Sequence, residues 1–150
     1  KHPRTYRNFA VMFLEFVTQN WYLFVMLLAI LLLLAFDPAG RSVGGAAKIS
    51  AGQLPQIQAR KSAVLVDIRS SEEFGKGHIE QSLNLPLDSL ESNLKKLNKH
   101  RGKPLILVCQ SGARAGKAAS ILKKNQFEEL YVLDGGVASW NKENLPLIRG

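Results

Sequence analysis

The chain has 150 residues, a formal net charge of +8 and a single cysteine. One cysteine excludes an internal disulfide framework and is typical of a reducing compartment. The positive charge is not arranged as a basic stripe interleaved with aromatic residues, so no nucleic-acid partner is predicted. With 46% hydrophobic residues, the length fits one globular domain with an appendage.

The N-terminal third of the chain predicts a membrane anchor between a tail and a linker. Residues 1–15 form the tail, in which Met12 offers a candidate translational start, and the sequence leaves open whether residues 1–11 are native. Residues 16–36 carry no charge and, at about 1.5 Å per residue, are long enough for a bilayer core of about 30 Å. They predict a single transmembrane helix, which fits better than a buried core helix or a cleavable signal peptide. Residues 37–48, rich in glycine and alanine, predict a flexible linker.

Residues 49–150 predict a folded α/β domain. Short apolar runs typical of buried strands alternate with helical segments, which predicts a central parallel sheet with helices on both faces. Functional sites in such sheets lie beyond the carboxyl ends of the strands. Ser70 and Glu73 have the spacing of a capping box and predict a brief helix. The predicted strands are 63–67, 82–85, 105–108 and 130–133, and the other predicted helices include 88–100, 113–124 and a final one containing Trp140.

The lone cysteine, Cys109, lies between the predicted strand 105–108 and the predicted helix 113–124. The free N–H groups and partial positive charge of a helix N-terminus favour a thiolate over a thiol. Gly112 allows the intervening loop to curl with its amides pointing inward, and Arg114 adds a cation. A cysteine at a strand end also fits simple core packing, but Gly112 and Arg114 at these spacings favour a nucleophile.

The domain carries a series of short motifs in a fixed order. They are Asp67-Ile68-Arg69, Glu73-Phe74, Gly77-His78-Ile79, Asn84-Leu85-Pro86, Val108-Cys109 through Arg114, and Leu133-Asp134-Gly135-Gly136 followed by Trp140. In content and order these motifs resemble the rhodanese-like domain family. The resemblance covers about residues 49–142, nearly all of the predicted domain.

The resemblance implies a rhodanese-like fold and sulfurtransferase chemistry. Cys109 would accept a sulfane sulfur from a donor such as thiosulfate, hold it as a persulfide, and pass it to a thiol or cyanide acceptor. Arg114 would bind the anionic donor, while Arg69 would either line the mouth of the pocket or pair with an acidic side chain. No cofactor is implied, and three histidines with one cysteine lack the spacing of metal ligands. The substrate-binding residues implied are Gln110, Ser111, Gly112, Ala113, Arg114 and Arg69.

The anchor and linker resemble those of membrane-anchored rhodanese-like proteins of bacteria. They imply a single-pass protein of the inner (cytoplasmic) membrane, with the lipid bilayer and other membrane proteins as partners. If Met12 is the start, Arg41 and Lys48 follow the span, and the positive-inside rule places the domain in the cytoplasm. The basic residues within 1–7, if native, weaken that prediction, whereas the unpaired cysteine favours the reducing side.

Two other functions stay open. Phosphatase loops that resemble this one place five residues between cysteine and arginine, whereas four separate Cys109 from Arg114 and suit a smaller anion centre. The second alternative is a membrane-tethered interaction module without significant turnover, since many domains of this family lack the cysteine. The presence of Cys109 favours chemistry.

Overall fold

The computed structural model describes residues 9–35 and 42–150, and the chain divides into two compact units between Pro38 and Ala39. The first unit contains two helices, α1 (Phe9–Gln19) and α2 (Trp21–Ala35). Nearly all side chains of α1 and α2 for which exposure is described are exposed, although the sequence of α2 is entirely apolar.

The two helices differ from the single helix predicted over residues 16–36, because the chain bends by 70° at Asn20. The side-chain amide of Asn20 donates to the carbonyl of Phe16 at 2.8 Å. Polar side chains that bond nearby carbonyls compete with the helical ladder and bend helices, which gives the break a local cause. Within residues 9–35 no helix taken singly has the length and apolarity to cross a membrane, and α1 with α2 up to Leu33 meets those criteria only as a bent pair.

The second unit has six strands, four α-helices and two 3-10 helices among residues 42–150. They are β1 (Ser42–Val43), β2 (Ala46–Ile49), α3 (Leu54–Lys61), β3 (Val64–Asp67), α4 (Ser71–Lys76), β4 (Leu83–Asn84), the 3-10 helices Leu87–Ser89 and Leu94–His100, β5 (Leu105–Val108), α5 (Ala113–Lys124), β6 (Leu130–Leu133) and α6 (Gly136–Lys142). The strands form one sheet in the order β1-β2-β6-β5-β3-β4. All neighbours are parallel except β1, which pairs with β2 in the antiparallel sense.

The sheet separates two apolar cores. Alternate residues of β5 face opposite sides, with Leu105 and Leu107 in one core and Ile106 and Val108 in the other. The first core is closed by α5 and the 3-10 helices, and the second by α3 and α6. The predicted α/β fold with helices on both faces is confirmed, but the sheet is mixed rather than wholly parallel because of β1.

Residues 42–48, which the composition predicts to be linker, form β1 and most of β2 instead. Gly44 adopts a φ of +62° at the turn between these strands, a conformation that favours glycine. The hairpin packs on α5 at Gly116, where an added Cβ would lie 2.3 Å from Cγ1 of Val43. The glycines therefore serve close packing here. Residues 37–41 of the predicted linker lie outside the described residues.

The amphipathic helix predicted over 88–100 is replaced by the two 3-10 helices and a turn between them. The side-chain amide of Asn93 donates to the carbonyl of Ser89 at 2.9 Å, a local bond that competes with a regular helix. Leu90 and Leu97 are nevertheless fully buried, so the segment packs on the core although its backbone is not the predicted α-helix.

Candidate active site

Cys109 directly follows β5 and begins a segment, residues 109–114, that ends in the first two residues of α5; we call it the cysteine loop. All four residues of β5 are buried, and Cys109 itself is 0% exposed. The next residues, Gln110 and Ser111, are exposed. The sulfur therefore lies at the carboxyl end of the sheet, as the sequence predicts, beneath a solvent-exposed loop.

The sulfur is held by the loop's own backbone. The N–H of Gly112 donates to Sγ of Cys109 at 2.9 Å. Gly112 caps α5 with a φ of +98°, in the left-handed region that glycine adopts without strain. An N–H donor and the positive end of a helix both stabilise negative charge on the sulfur.

Further backbone donors of the cysteine loop and the first turn of α5 are free. The first N–H groups of a helix have no intrahelical acceptor. Within residues 9–35 and 42–150, none of the N–H groups of Ser111, Ala113, Arg114 and Ala115 donates to a protein acceptor. The loop thus offers several amide donors to an anion bound beside the sulfur.

The N-terminus of α6 packs directly against the cysteine loop. The N–H of Val137 donates to the carbonyl of Cys109 at 2.9 Å, and the N–H of Ala138 donates to that of Gln110 at 3.0 Å. A Cβ at Gly136, whose φ is +57°, would lie 2.1 Å from the carbonyl oxygen of Cys109. Gly136 was not predicted as a site residue, although the Gly135-Gly136 pair is a visible signal of close backbone approach.

Arg114 forms a two-pronged ion pair with Glu73 of α4. Its Nη1 and Nη2 donate to the two carboxylate oxygens at 2.9 and 2.8 Å. The bond to Arg114 lowers the pKa of Glu73 to about 2, and the same bond raises the pKa of Arg114. Glu73 also completes the predicted capping box with Ser70, which is confirmed. Sequence reasoning missed the ion pair because 41 residues separate its partners.

Arg69 is buried, with 3% of its surface exposed, and paired with Asp67, which is 1% exposed. Its Nε and Nη2 donate to the Asp67 carboxylate at 2.7 to 3.0 Å, and Nη2 also donates to the carbonyl of Gly77 at 2.7 Å. Only Nη1 points toward the cysteine loop, where it contacts Oε1 of Gln110 at 3.5 Å. Of the two roles considered for Arg69, the geometry favours pairing with an acidic side chain over lining the mouth of a pocket.

The described residues bring Cys109, Gly112 and Arg114 together on one loop and connect Arg69 to that loop only through Gln110. No group of three or more histidine, cysteine, aspartate or glutamate side chains in these residues has the arrangement of a metal site. A thiol at a helix N-terminus, surrounded by free amide donors and close to a cation, is suited to nucleophilic attack and to holding a small anion.

Comparisons with known proteins point to one family. Residues 50–143 match the sequence pattern of the family described as Rhodanese-like domain. The chain is similar to YibN of Escherichia coli K12, with 42% identity over 103 residues that cover 68% of this chain and 72% of YibN. It is also similar to the thiosulfate sulfurtransferase GlpE of Shewanella oneidensis, with 35% identity over 96 residues, 64% of this chain and 93% of GlpE.

Solved structures of rhodanese-related proteins have a similar fold. A rhodanese-related protein from Thermoplasma volcanium superposes with a TM-score of 0.59 at 27% identity, covering 69% of this chain and 98% of that one. Two other matched structures are of longer chains, and this chain spans 17% and 20% of them. The matched regions cover 65–70% of this chain.

Proposed function

We propose that this chain, which belongs to the rhodanese-like domain family, is a sulfurtransferase that carries a sulfane sulfur on Cys109. Membership of the family and the similarity to a thiosulfate sulfurtransferase support this class of reaction. The observation that carries the proposal is the bond from the Gly112 N–H to Sγ of Cys109 at 2.9 Å. A buried cysteine that served packing alone would need no such donor.

In the first half-reaction, the Cys109 thiolate attacks the sulfane sulfur of thiosulfate. The S–S bond of thiosulfate breaks, sulfite leaves with its electron pair, and Cys109 becomes a persulfide anion. The free N–H groups of Ser111, Ala113, Arg114 and Ala115 are suited to stabilise this larger anion, whose outer sulfur extends beyond Sγ.

In the second half-reaction, a thiolate or cyanide attacks the outer sulfur of the persulfide. The persulfide S–S bond breaks, its electron pair returns to Sγ, and the Cys109 thiolate is restored. No oxidant or reductant is consumed over the full cycle. Arg114, whose guanidinium is paired with Glu73, provides the cation that attracts the anionic donor.

The test is transfer of sulfur from thiosulfate to cyanide by the full chain and by Cys109→Ser. We expect Cys109→Ser to abolish transfer, because a serine alkoxide is not accessible near neutral pH, and to keep the fold, because the side chains are nearly isosteric. The intact mass of the wild-type chain should rise by one sulfur atom after thiosulfate treatment. Ser92→Ala, an exposed serine outside the cysteine loop, serves as the control and should retain transfer and the mass increase.

Three outcomes would contradict this mechanism. Undiminished transfer by Cys109→Ser would exclude the cysteine as the carrier. Cysteine-dependent release of phosphate from an aryl phosphate, without sulfur transfer, would favour a phosphatase. A folded wild-type chain that is silent in both assays would favour an interaction module without turnover.

The proposal includes attachment to the bacterial inner membrane, with the domain in the cytoplasm. Support comes from the uncharged segment 16–36 and from the exposed apolar side chains of α1 and α2. The basic residues that follow the segment and the free cysteine favour the cytoplasmic side. Protease added to intact spheroplasts should leave the domain uncut and should digest it after permeabilisation. Digestion before permeabilisation would contradict the orientation, and recovery of the chain in the soluble fraction would contradict the attachment.

A further inference from the structure

A cavity of about 330 Å³ lies against the free edge of the sheet, and we call it the β4 groove. Among the strands of residues 42–150, β4 ends the strand order and pairs only with β3. The opposite wall is the second 3-10 helix, so the groove runs between a strand edge and a helix. Its lining residues are Leu83, Asn84, Leu85, Lys95, Lys96 and Lys99.

The strand wall of the groove presents unpaired main chain. The N–H of Leu85 donates to the carbonyl of Asp67 on β3 at 2.9 Å. Since alternate residues of a parallel ladder face the neighbouring strand, the N–H and C=O of Asn84 point the other way. Neither group has a partner within the described part of the chain. An edge with such groups is a template for another extended chain.

The helix wall of the groove is positively charged. Lys95, Lys96 and Lys99 are all exposed, and none of them forms an ion pair with a residue that the structure describes. No acidic side chain lines the groove. Leu83, 38% exposed, adds an apolar contact on the other wall. The groove therefore combines an excess of positive charge with an open strand edge.

We propose that the β4 groove binds an extended acidic segment of a partner protein. The segment pairs its main chain with Asn84 and directs its carboxylates to the three lysines. A free phosphate or a lipid headgroup would engage the lysines and leave the strand edge unused. Lysines that protect a sheet edge from pairing lie on the edge strand itself. Strand β4 carries no lysine, and the three lysines of the groove come from the facing 3-10 helix.

The groove is connected to the active-site end of the sheet. The side-chain amide of Asn84 donates to the carbonyls of Asp67 and Arg69 at 3.2 and 2.9 Å, and Arg69 reaches Gln110 of the cysteine loop. A segment docked on β4 thus brings its protein close to the cysteine loop. Binding itself does not depend on sulfur transfer, and the test uses no sulfur donor.

The probe is a fluorescein-labelled peptide of alternating glutamate and valine, and its anisotropy is measured with the full chain in an uncharged detergent. Reversing the groove charge with Lys95→Glu, Lys96→Glu and Lys99→Glu should weaken binding at least tenfold. The control reverses three exposed cations elsewhere, Arg60→Glu, Lys124→Glu and Lys142→Glu, and should change binding by less than twofold. Equal binding by the two triple variants would overturn the proposal.

Two N-methylated probes test the strand edge separately from the charge. Methyl groups on the amides of one alternate set of residues block hydrogen bonding to β4, and methyl groups on the other set face away from it. The probe whose methyl groups face β4 should bind about tenfold more weakly than the unmethylated peptide. The probe whose methyl groups face away should bind as tightly as the unmethylated peptide. Equal affinities of the two methylated probes would overturn the proposal. So would displacement of the parent probe by inorganic phosphate at equal concentration, or lysine-dependent binding to phosphatidylglycerol-doped micelles without peptide binding.

Discussion

Two arginine–carboxylate pairs flank the cysteine loop, and they differ chiefly in burial. The side chains of Arg69 and Asp67 are 4% and 1% exposed, whereas those of Arg114 and Glu73 are 39% and 33% exposed. Their shortest N–O distances, 2.7 and 2.8 Å, are nearly the same. Similar bonds are therefore expected to have different consequences, because water competes for one pair and not for the other.

We expect the buried pair to stabilise the fold and the exposed pair to act in the proposed reaction. Asp67 and Arg69 lie two residues apart at the end of β3. Removing either charge leaves the other buried, with neither an ionic partner nor water to stabilise it. Glu73 and Arg114 join α4 to the cysteine loop, and solvent screens their attraction. The first pair should thus govern the free energy of unfolding and the second the handling of anionic donors.

Arg69→Ala should give the largest effect on stability. It leaves the Asp67 carboxylate buried and unpaired, a change that typically costs about 3–5 kcal/mol in the free energy of unfolding. Urea denaturation of the full chain in detergent measures it. The double variant Asp67→Ala/Arg69→Ala, in which no charge is left unpaired, should recover part of the loss. A single-variant cost below about 1 kcal/mol would mean that the buried pair is not the framework element described here.

Arg114→Ala should act on catalysis more than on folding. Loss of a charge-assisted contact to the donor, worth about 1.5–3 kcal/mol, should lower kcat/KM for thiosulfate roughly tenfold to a hundredfold. The free energy of unfolding should fall by about 1 kcal/mol or less, because the ion pair is half-exposed. An uncharged dialkyl trisulfide is the control donor and should be affected much less. An equal loss with both donors would assign Arg114 to the shape of the loop and not to the charge of the donor.

Glu73→Gln should have the opposite effect on the donor. It removes the carboxylate that competes with thiosulfate for Arg114 and retains a side chain able to complete the capping box. A gain of about 1 kcal/mol corresponds to a roughly fivefold lower KM for thiosulfate. Steady-state kinetics with Glu73→Asp as the charge-retaining control would measure it. A higher KM in Glu73→Gln would show that the guanidinium must be held by the carboxylate in order to act.

The smallest effect is the pH dependence of the exposed pair. Pairing lowers the pKa of Glu73 from its usual 4.5 to about 2. The stabilisation is therefore complete above about pH 4.5 and is lost as the pH falls toward 2. It should amount to about 1 kcal/mol after screening by solvent. The difference in unfolding free energy between wild type and Glu73→Gln should vanish over that interval, and a constant difference would contradict the assignment.

Local signals in the sequence were sufficient for the elements that carry the cysteine. Strand β5 matches its predicted bounds, since a short continuous apolar run is typical of a strand buried on both faces. Helix α5 also matches, since Gly112 and the spacing of its alanines define its start and its buried side. The capping box of Ser70 and Glu73 was predictable for the same reason, as all of its bonds lie within four consecutive residues.

Contacts between distant parts of the chain were not predictable. The position of Glu73 in the sequence predicts a capping box but does not predict a contact with Arg114. The two side chains come together only when the domain folds. The burial of Arg69 depends on Gly77 and Gln110, which no local pattern connects to it. The glycines near residue 44 indicate a linker in isolation, and their packing partner on α5 is some seventy residues away.

The β1–β2 hairpin has a consequence for the solubility of the second unit. Ala47, Lys48 and Ile49 of β2 pair with β6, whose other neighbour is β5. A chain shortened to begin at residue 49, the boundary suggested by the sequence, would lose Ala47 and Lys48 and leave most of that edge of β6 unpaired. A bare apolar strand recruits the same strand of another copy and seeds intermolecular β-aggregation. We therefore expect a second unit that begins at residue 49 to self-associate more readily than one that keeps β1 and β2.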